Sequence, residues 1–227
     1  THTRSSAASD VYKRQIGECV MLLIGVTGSI GMGKSTVAKM FTEYGFGLYN
    51  ADDTVHYIYE NDEEVINKIE ESFPGTKSEG KVNRIALRDI LNKEPEKFRD
   101  LEKIVHPATR RYQIVYIEKL ISEDSPGCIL DIPLLFETGG EKYIDVSVVV
   151  TASEDKQKER VVAERKVPLE IFNSIKNQQM PDREKLKKAD YIISTDQTLD
   201  ETKLEVKDVV SKIKLINPKA WKAFYKK

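Results

Sequence analysis

The chain has 227 residues, 36 Lys plus Arg against 37 Asp plus Glu, and 40% hydrophobic residues. The charge balance argues against a protein that coats nucleic acid, and the apolar fraction argues against wholesale disorder. No apolar run approaches the ~18 residues of a membrane span, and Cys19 and Cys128 are too few for a disulfide scaffold. What is left is a cytoplasmic enzyme or small-ligand binder without nucleic-acid or membrane partners, expected as a monomer or weak homo-oligomer.

Residues 1–20 have neither a helical nor a strand period and no apolar core of a secretory signal. They read as a non-native leader, with a targeting arm as the alternative, and 21–227 reads as a single domain. Leu22 to Thr27 form an apolar run that suits a strand buried on both faces. After a glycine-rich stretch, Val37, Met40, Phe41 and Tyr44 recur at helical spacing until Gly45. Phe46 to Tyr49 read as a second strand. Residues 53–122 look entirely helical and form a candidate insert on the acceptor side. Its acidic stretch 50–80 reads as a solvated helix face. Phe98, Leu101, Val105, Ala108, Tyr112 and Val115 are spaced by three and four around Pro107. That pattern predicts two helices, or one bent helix, with Pro107 at a helix start.

Three further apolar runs follow: Cys128 to Ile132, Val146 to Val150 and Tyr191 to Ile193. Between the last two lies a second insert, 153–188, with ten basic against seven acidic residues, read as a short lid. Val206, Val209, Val210 and Ile213 mark a C-terminal helix. The alternation predicts an α/β fold: five parallel strands flanked by helices. Beyond Lys214, Trp221, Phe224 and Tyr225 have near-helical spacing and either dock on the core or belong to a frayed end.

Gly28-Ser29-Ile30-Gly31-Met32-Gly33-Lys34-Ser35 fits G-x-x-x-x-G-K-[ST] at every fixed position, after a strand and before a helix. This is the phosphate loop of nucleoside-triphosphate-binding folds. Gly31, Met32, Gly33, Lys34, Ser35 and Thr36 are therefore candidate ATP-binding residues. Backbone N–H groups cradle anionic oxygens, and the helix N-terminus adds partial positive charge. Lys34 reaches the β- and γ-phosphates, the Ser35 hydroxyl ligates Mg²⁺, and Thr36 contacts the α-phosphate. Asp131 closes a strand and is a second candidate Mg²⁺ ligand through water, or a turn residue before Pro133. The loop alone leaves kinase, GTPase, motor ATPase and nucleotide-binding regulator open. A guanine-reading N-K-x-D sequence is absent, and two inserts around a small core suit a kinase that closes over donor and acceptor.

Further motifs narrow the choice. Ile24 to Thr36 (IGVTGSIGMGKST), Asn50-Ala51-Asp52, His106-Pro107 with Arg110, Pro133-Leu134-Leu135-Phe136-Glu137, Gln157 with Arg160, and Gln179 with Lys185 and Ala189-Asp190 occur in order over 22–214. This series resembles the dephospho-coenzyme A kinase family. The resemblance implies a P-loop kinase that uses ATP and Mg²⁺ to phosphorylate the ribose 3′-hydroxyl of dephospho-coenzyme A, the last step of coenzyme A biosynthesis. Another P-loop nucleoside or nucleotide kinase, and a non-catalytic nucleotide-binding regulator, are the alternatives.

By the same resemblance Asp52 is the base for the acceptor hydroxyl; its other reading is the N-cap of the next helix, a role open also to Asp53. Arg160 is the lid arginine that meets charge on the transferring phosphoryl group. With Lys34, these are the candidate catalytic residues. His106, Arg110, Leu134, Leu135 and Glu137 are candidate acceptor contacts, beside Asp52. Against that stand helix capping for His106, ordinary core for Leu134 and Leu135, and a mutual Glu137–Arg110 pair. The chain departs from the family pattern at Asn50 (an acid), Glu164 (an arginine, with Arg165 one later) and Thr195 (an asparagine).

Overall fold

A computed structural model describes residues 20–225; residues 1–19 of the expected leader lie outside them. The described chain forms two compact units, one of Tyr49–Glu118 and one built from the segments on either side of it.

The flanking segments form the sheet-bearing unit. The sheet's strands are β1 (Leu23–Thr27), β2 (Gly47–Asn50, whose last two residues fall in the other unit), β5 (Cys128–Asp131), β6 (Val146–Thr151) and β7 (Tyr191–Ser194), in the parallel order β2-β5-β1-β6-β7. The register sets Ile24 beside both Ile129 and Val146, and Val26 beside Asp131. Alternate residues of each strand face opposite sides. Ile24, Val26, Val146, Val148 and Val150 therefore pack with Val37 and Phe41 of α1 (Lys34–Thr42) and with Val206, Val210 and Ile213 of α9 (Leu199–Ile213). Val149, on the other face, packs with Leu135, Phe136, Met180 and Leu186. Gly25 makes room there: a Cβ on it would stand 2.7 Å from Ile144 Cδ1 and 3.1 Å from Leu135 Cδ2.

The tail docks. Backbone N–H groups of Lys219 and Ala220 donate to one Asp145 oxygen at 2.6 and 2.8 Å, while the other accepts from Leu23 N at 2.9 Å. Trp221 is buried and stacks on Tyr225 with ring centroids 5.5 Å apart. The Phe224 side chain lies outside the description.

Residues 49–118 make a unit with its own core, centred on Ile58, Ile66, Ile69, Phe73, Leu101 and Val105. It holds α2 (Ala51–Asn61), α3 (Glu63–Ser72), a hairpin of β3 (Lys77–Ser78) and β4 (Lys81–Val82), α4 (Arg84–Lys93) and most of α5 (Phe98–Ser122). Asn50, Asp62 and Asn83 each cap a helix by accepting N–H groups of its first turn.

Two expectations are corrected here. The insert is not entirely helical, because Glu79 (φ 50°) and Gly80 (φ 77°) form a two-residue turn that pairs the short antiparallel strands β3 and β4. Nor does Pro107 start a helix; it sits inside the 25-residue α5. It supplies no N–H to the preceding turn. Close by, the Thr109 hydroxyl back-bonds to Val105 O at 2.5 Å.

Candidate active site

β1 ends at Thr27, and the chain crosses in six residues to α1, which starts at Lys34. Gly31 (φ 80°) and Gly33 (φ 82°) adopt left-handed conformations that side chains rarely take. Space is equally restrictive: a Cβ on Gly31 would lie 2.5 Å from Val161 Cγ2, and one on Gly33 3.2 Å from Thr195 Cγ2. Met32 is buried, and its sulfur accepts the N–H of Ala152 at 3.1 Å. Ser35 and Thr36 are exposed in the first turn of α1, and the Thr36 N–H donates to Gly33 O at 3.1 Å. The Lys34 ammonium is ion-paired with Asp131, the last residue of β5. Asp131 is itself buried. A hydroxyl on the helix and a carboxylate at the neighbouring strand end are hard oxygen donors that suit Mg²⁺, which keeps waters and phosphate oxygens for its other positions. The Ser35 and Asp131 expectations thus fit the donor chemistry of that ion.

The second insert comprises α6 (Glu154–Lys158), a π-helical turn (Glu159–Glu164), α7 (Leu169–Gln178) and α8 (Asp182–Lys188). Its side chains reach the loop. The Gln157 amide donates to Ile30 O at 2.7 Å, Gln179 Oε1 accepts from Ile30 N at 3.0 Å, and the Ser29 hydroxyl donates to Asp182. Arg160 donates to Thr195 Oγ1 at 2.8 Å, Thr195 O at 2.7 Å and Gly31 O at 3.3 Å. The Thr195 hydroxyl donates in turn to Met32 O at 2.9 Å. The lid arginine of the sequence reading is thus moored beside the loop. Thr195, where the family pattern has asparagine, joins the end of β7 to the loop.

Glu137 has a different partner from the one considered for it. Its Oε1 accepts the N–H of Met180 at 2.7 Å and lies 3.0 Å from the ammonium of Lys185, whose side chain is 0% exposed. Burial works to raise the Glu137 pKa, but the Met180 N–H and the Lys185 ammonium outweigh it and hold the carboxyl below its ordinary value. Glu137→Ala strands a buried ammonium and is expected to destabilise the protein by about 3–5 kcal/mol in urea unfolding. For a lowered carboxyl pKa the pair's stabilisation is present above the unfolded value of about 4.3. It is lost as pH falls through the folded one. The wild-type advantage over the variant should therefore shrink on acidification below about pH 4.

Of the apolar pair, Leu135 is 0% exposed and belongs to the core, whereas Leu134 is 41% exposed and open to a ligand. The Leu135 side chain fills the space above Gly25, the core position weighed for it beside an acceptor contact.

Asp52, His106 and Arg110 belong to the 49–118 unit. Capping there falls to Asn50, whose Oδ1 accepts from Asp52 N at 2.9 Å and Asp53 N at 3.3 Å. An amide caps as well as a carboxylate, so this departure from the family pattern keeps the helix start and leaves the exposed Asp52 carboxylate unused by it. His106 is exposed within α5 and caps no helix, and Arg110 is exposed on the same helix. Sequence reasoning gave no role to Gln157, Gln179, Asp182 or Lys185. The available signal was the Gln and Lys positions in the family pattern, each without a local structural reason to be polar.

A glycine loop between a parallel strand and a helix, with a lysine on the acid of the adjacent strand, defines the P-loop class of nucleoside-triphosphate-binding proteins. The dephospho-CoA kinase family model matches residues 22–201. A dephospho-CoA kinase of Rhodopseudomonas palustris (strain ATCC BAA-98 / CGA009) is 45% identical over 190 residues, 84% of this chain and 94% of that one. One of Agrobacterium fabrum is 41% identical, covering 86% and 99%. Among solved structures, a Thermus thermophilus protein superimposes with a TM-score of 0.73 at 31% identity, over 87% of this chain and 100% of that one. A dephospho-CoA kinase from Campylobacter jejuni gives 0.63 at 28%, over 85% and 96%. The chain belongs to the dephospho-CoA kinase family.

Proposed function

We propose that the chain transfers the γ-phosphoryl group of ATP to the ribose 3′-hydroxyl of dephospho-coenzyme A, and that the residues above divide the work as follows. The backbone of Gly31–Lys34 and the start of α1 bind the phosphates, and Thr36 contacts the α-phosphate. Lys34, already held at the β5 end by Asp131, meets the β- and γ-phosphates. Ser35 and Asp131 are the residues that would hold Mg²⁺, which when bound would supply positive charge against the phosphate oxygens. Asp52 accepts the proton of the 3′-hydroxyl. As that oxygen bonds to the γ-phosphorus, the bond from phosphorus to the β–γ bridging oxygen breaks, and ADP leaves. Arg160, fixed beside Gly31, adds positive charge next to the transferring group. Leu134, His106 and Arg110 bind the acceptor, while Glu137 braces the site through Met180 and Lys185.

The observation that carries the reading is the intact loop with its Lys34–Asp131 pair in a chain of this family. The test incubates the purified full chain with Mg·ATP and dephospho-coenzyme A and locates the new phosphate by NMR. Coenzyme A phosphorylated at the ribose 3′ position is expected. Phosphorylation of nucleoside monophosphates with none of dephospho-coenzyme A overturns the reading.

A further inference from the structure

The phosphate loop binds through backbone N–H groups, so its affinity depends on how its peptide planes are turned. Ile30, between the first two loop glycines, is held on both sides by side chains from the second insert. Its N–H is donated to Gln179 Oε1 at 3.0 Å, and its C=O accepts from Gln157 Nε2 at 2.7 Å. The partners settle the orientation of both amides: a carbonyl only accepts, so Gln157 must present its NH₂, and an N–H only donates, so Gln179 must present its oxygen. Across a trans peptide the C=O and the following N–H point in opposite directions. Drawing the Ile30 carbonyl toward Gln157 therefore turns the Gly31 N–H away from Gln157.

Gln157 carries a second mark of function. Its side chain is 0% exposed, and its Oε1 is buried without a hydrogen-bond partner. An unmet buried acceptor costs about 1–3 kcal/mol, which an apolar side chain of similar size would avoid. The amide is explained by its one donated bond. Gln179 is braced independently, because its neighbour Met180 donates to Glu137, which is itself paired with the buried Lys185.

We infer that Gln157 and Gln179 are positioning residues for ATP: together they lock the Ile30 peptides so that the loop presents its N–H groups to the phosphates before the nucleotide arrives. The gain is pre-organisation, since the loop need not be reordered on binding. The inference rests on the assignment of the loop to ATP but not on the identity of the acceptor. It predicts an effect confined to the nucleotide.

The experiment measures equilibrium binding of Mg·ATP and, separately, of dephospho-coenzyme A to the full chain and to Gln157→Met and Gln179→Met. Thermal melts and hydrogen exchange of the peptide containing residues 29–33 accompany it. Gln179 is only half buried, so its variant provides a folded test should the Gln157 variant lose stability. The expected result is a roughly tenfold weaker ATP Kd for Gln179→Met, about 1.4 kcal/mol, with faster exchange in the loop peptide and a dephospho-coenzyme A Kd within about twofold of wild type. An ATP Kd unchanged within that margin, or equal weakening of both ligands, overturns the inference. Because ATP binding is read directly, a wild-type chain that binds ATP but does not phosphorylate dephospho-coenzyme A would sink the proposed function and leave this test intact.

Discussion

Lys34→Ala is expected to lower kcat/KM by about 10²–10³-fold, the scale set by removing one pre-organised donor from charge developing in a transition state. The lysine sits in the first turn of α1, and its partner at the end of β5 faces Val26 of β1 in the register. The ammonium thus stands where two strand ends and a helix start converge, next to the backbone that binds the phosphates. Its loss removes a charge from the nucleotide and also leaves Asp131, a buried carboxylate, without its cation. The variant should therefore melt earlier as well. Adding Asp131→Asn removes the stranded charge and should recover stability without recovering turnover, which separates the two effects. Steady-state kinetics and a thermal melt on both proteins check this, and activity of Lys34→Ala within tenfold of wild type would refute the assigned role.

Asp52→Asn carries the second large effect, a fall in kcat of roughly 10²–10⁴-fold, as for loss of a general base. The substitution is nearly isosteric. What Asp52 gives to its helix is its backbone N–H, donated to Asn50 Oδ1, and that bond survives. Removing a carboxylate from the first turn costs only about 0.3–1 kcal/mol of helix-dipole stabilisation. The expected pattern is a large kcat defect, a dephospho-coenzyme A KM changed by little, and a nearly unchanged melt. Activity near wild type would remove Asp52 from the chemistry. An acceptor KM raised in proportion to the loss would reassign it to binding.

The contrast between these two residues and Glu137 bears on how the site was legible. All three stand out by motif. Lys34 and Asp52 are positioned by local chain chemistry: one residue opens a helix after a glycine turn, the other lies two residues past a capping asparagine. Glu137 was equally visible, but its partner Lys185 lies 48 positions away, beyond the reach of any short pattern. The same holds for Arg160, whose mooring on Thr195 spans 35 positions. The β3–β4 hairpin was missed for the opposite reason. Its strands have two residues each, too short for a period, and only the Glu79-Gly80 turn announces it.

The sequence by itself determined the sheet strands, the phosphate loop and the order of the motifs, because each depends on backbone conformations and hydrophobic alternation set within a few residues. Tertiary structure decided which side chains stay exposed and which are built into the frame. Leu134 and Leu135 are adjacent and chemically identical. Yet one is open to solvent and the other fills the space above Gly25. Gln157 and Gln179 acquire their role only because the fold brings both to Ile30, across 127 and 149 positions. A buried donor or acceptor must find a partner, and which partner it finds is settled by the packing of elements far apart in the chain.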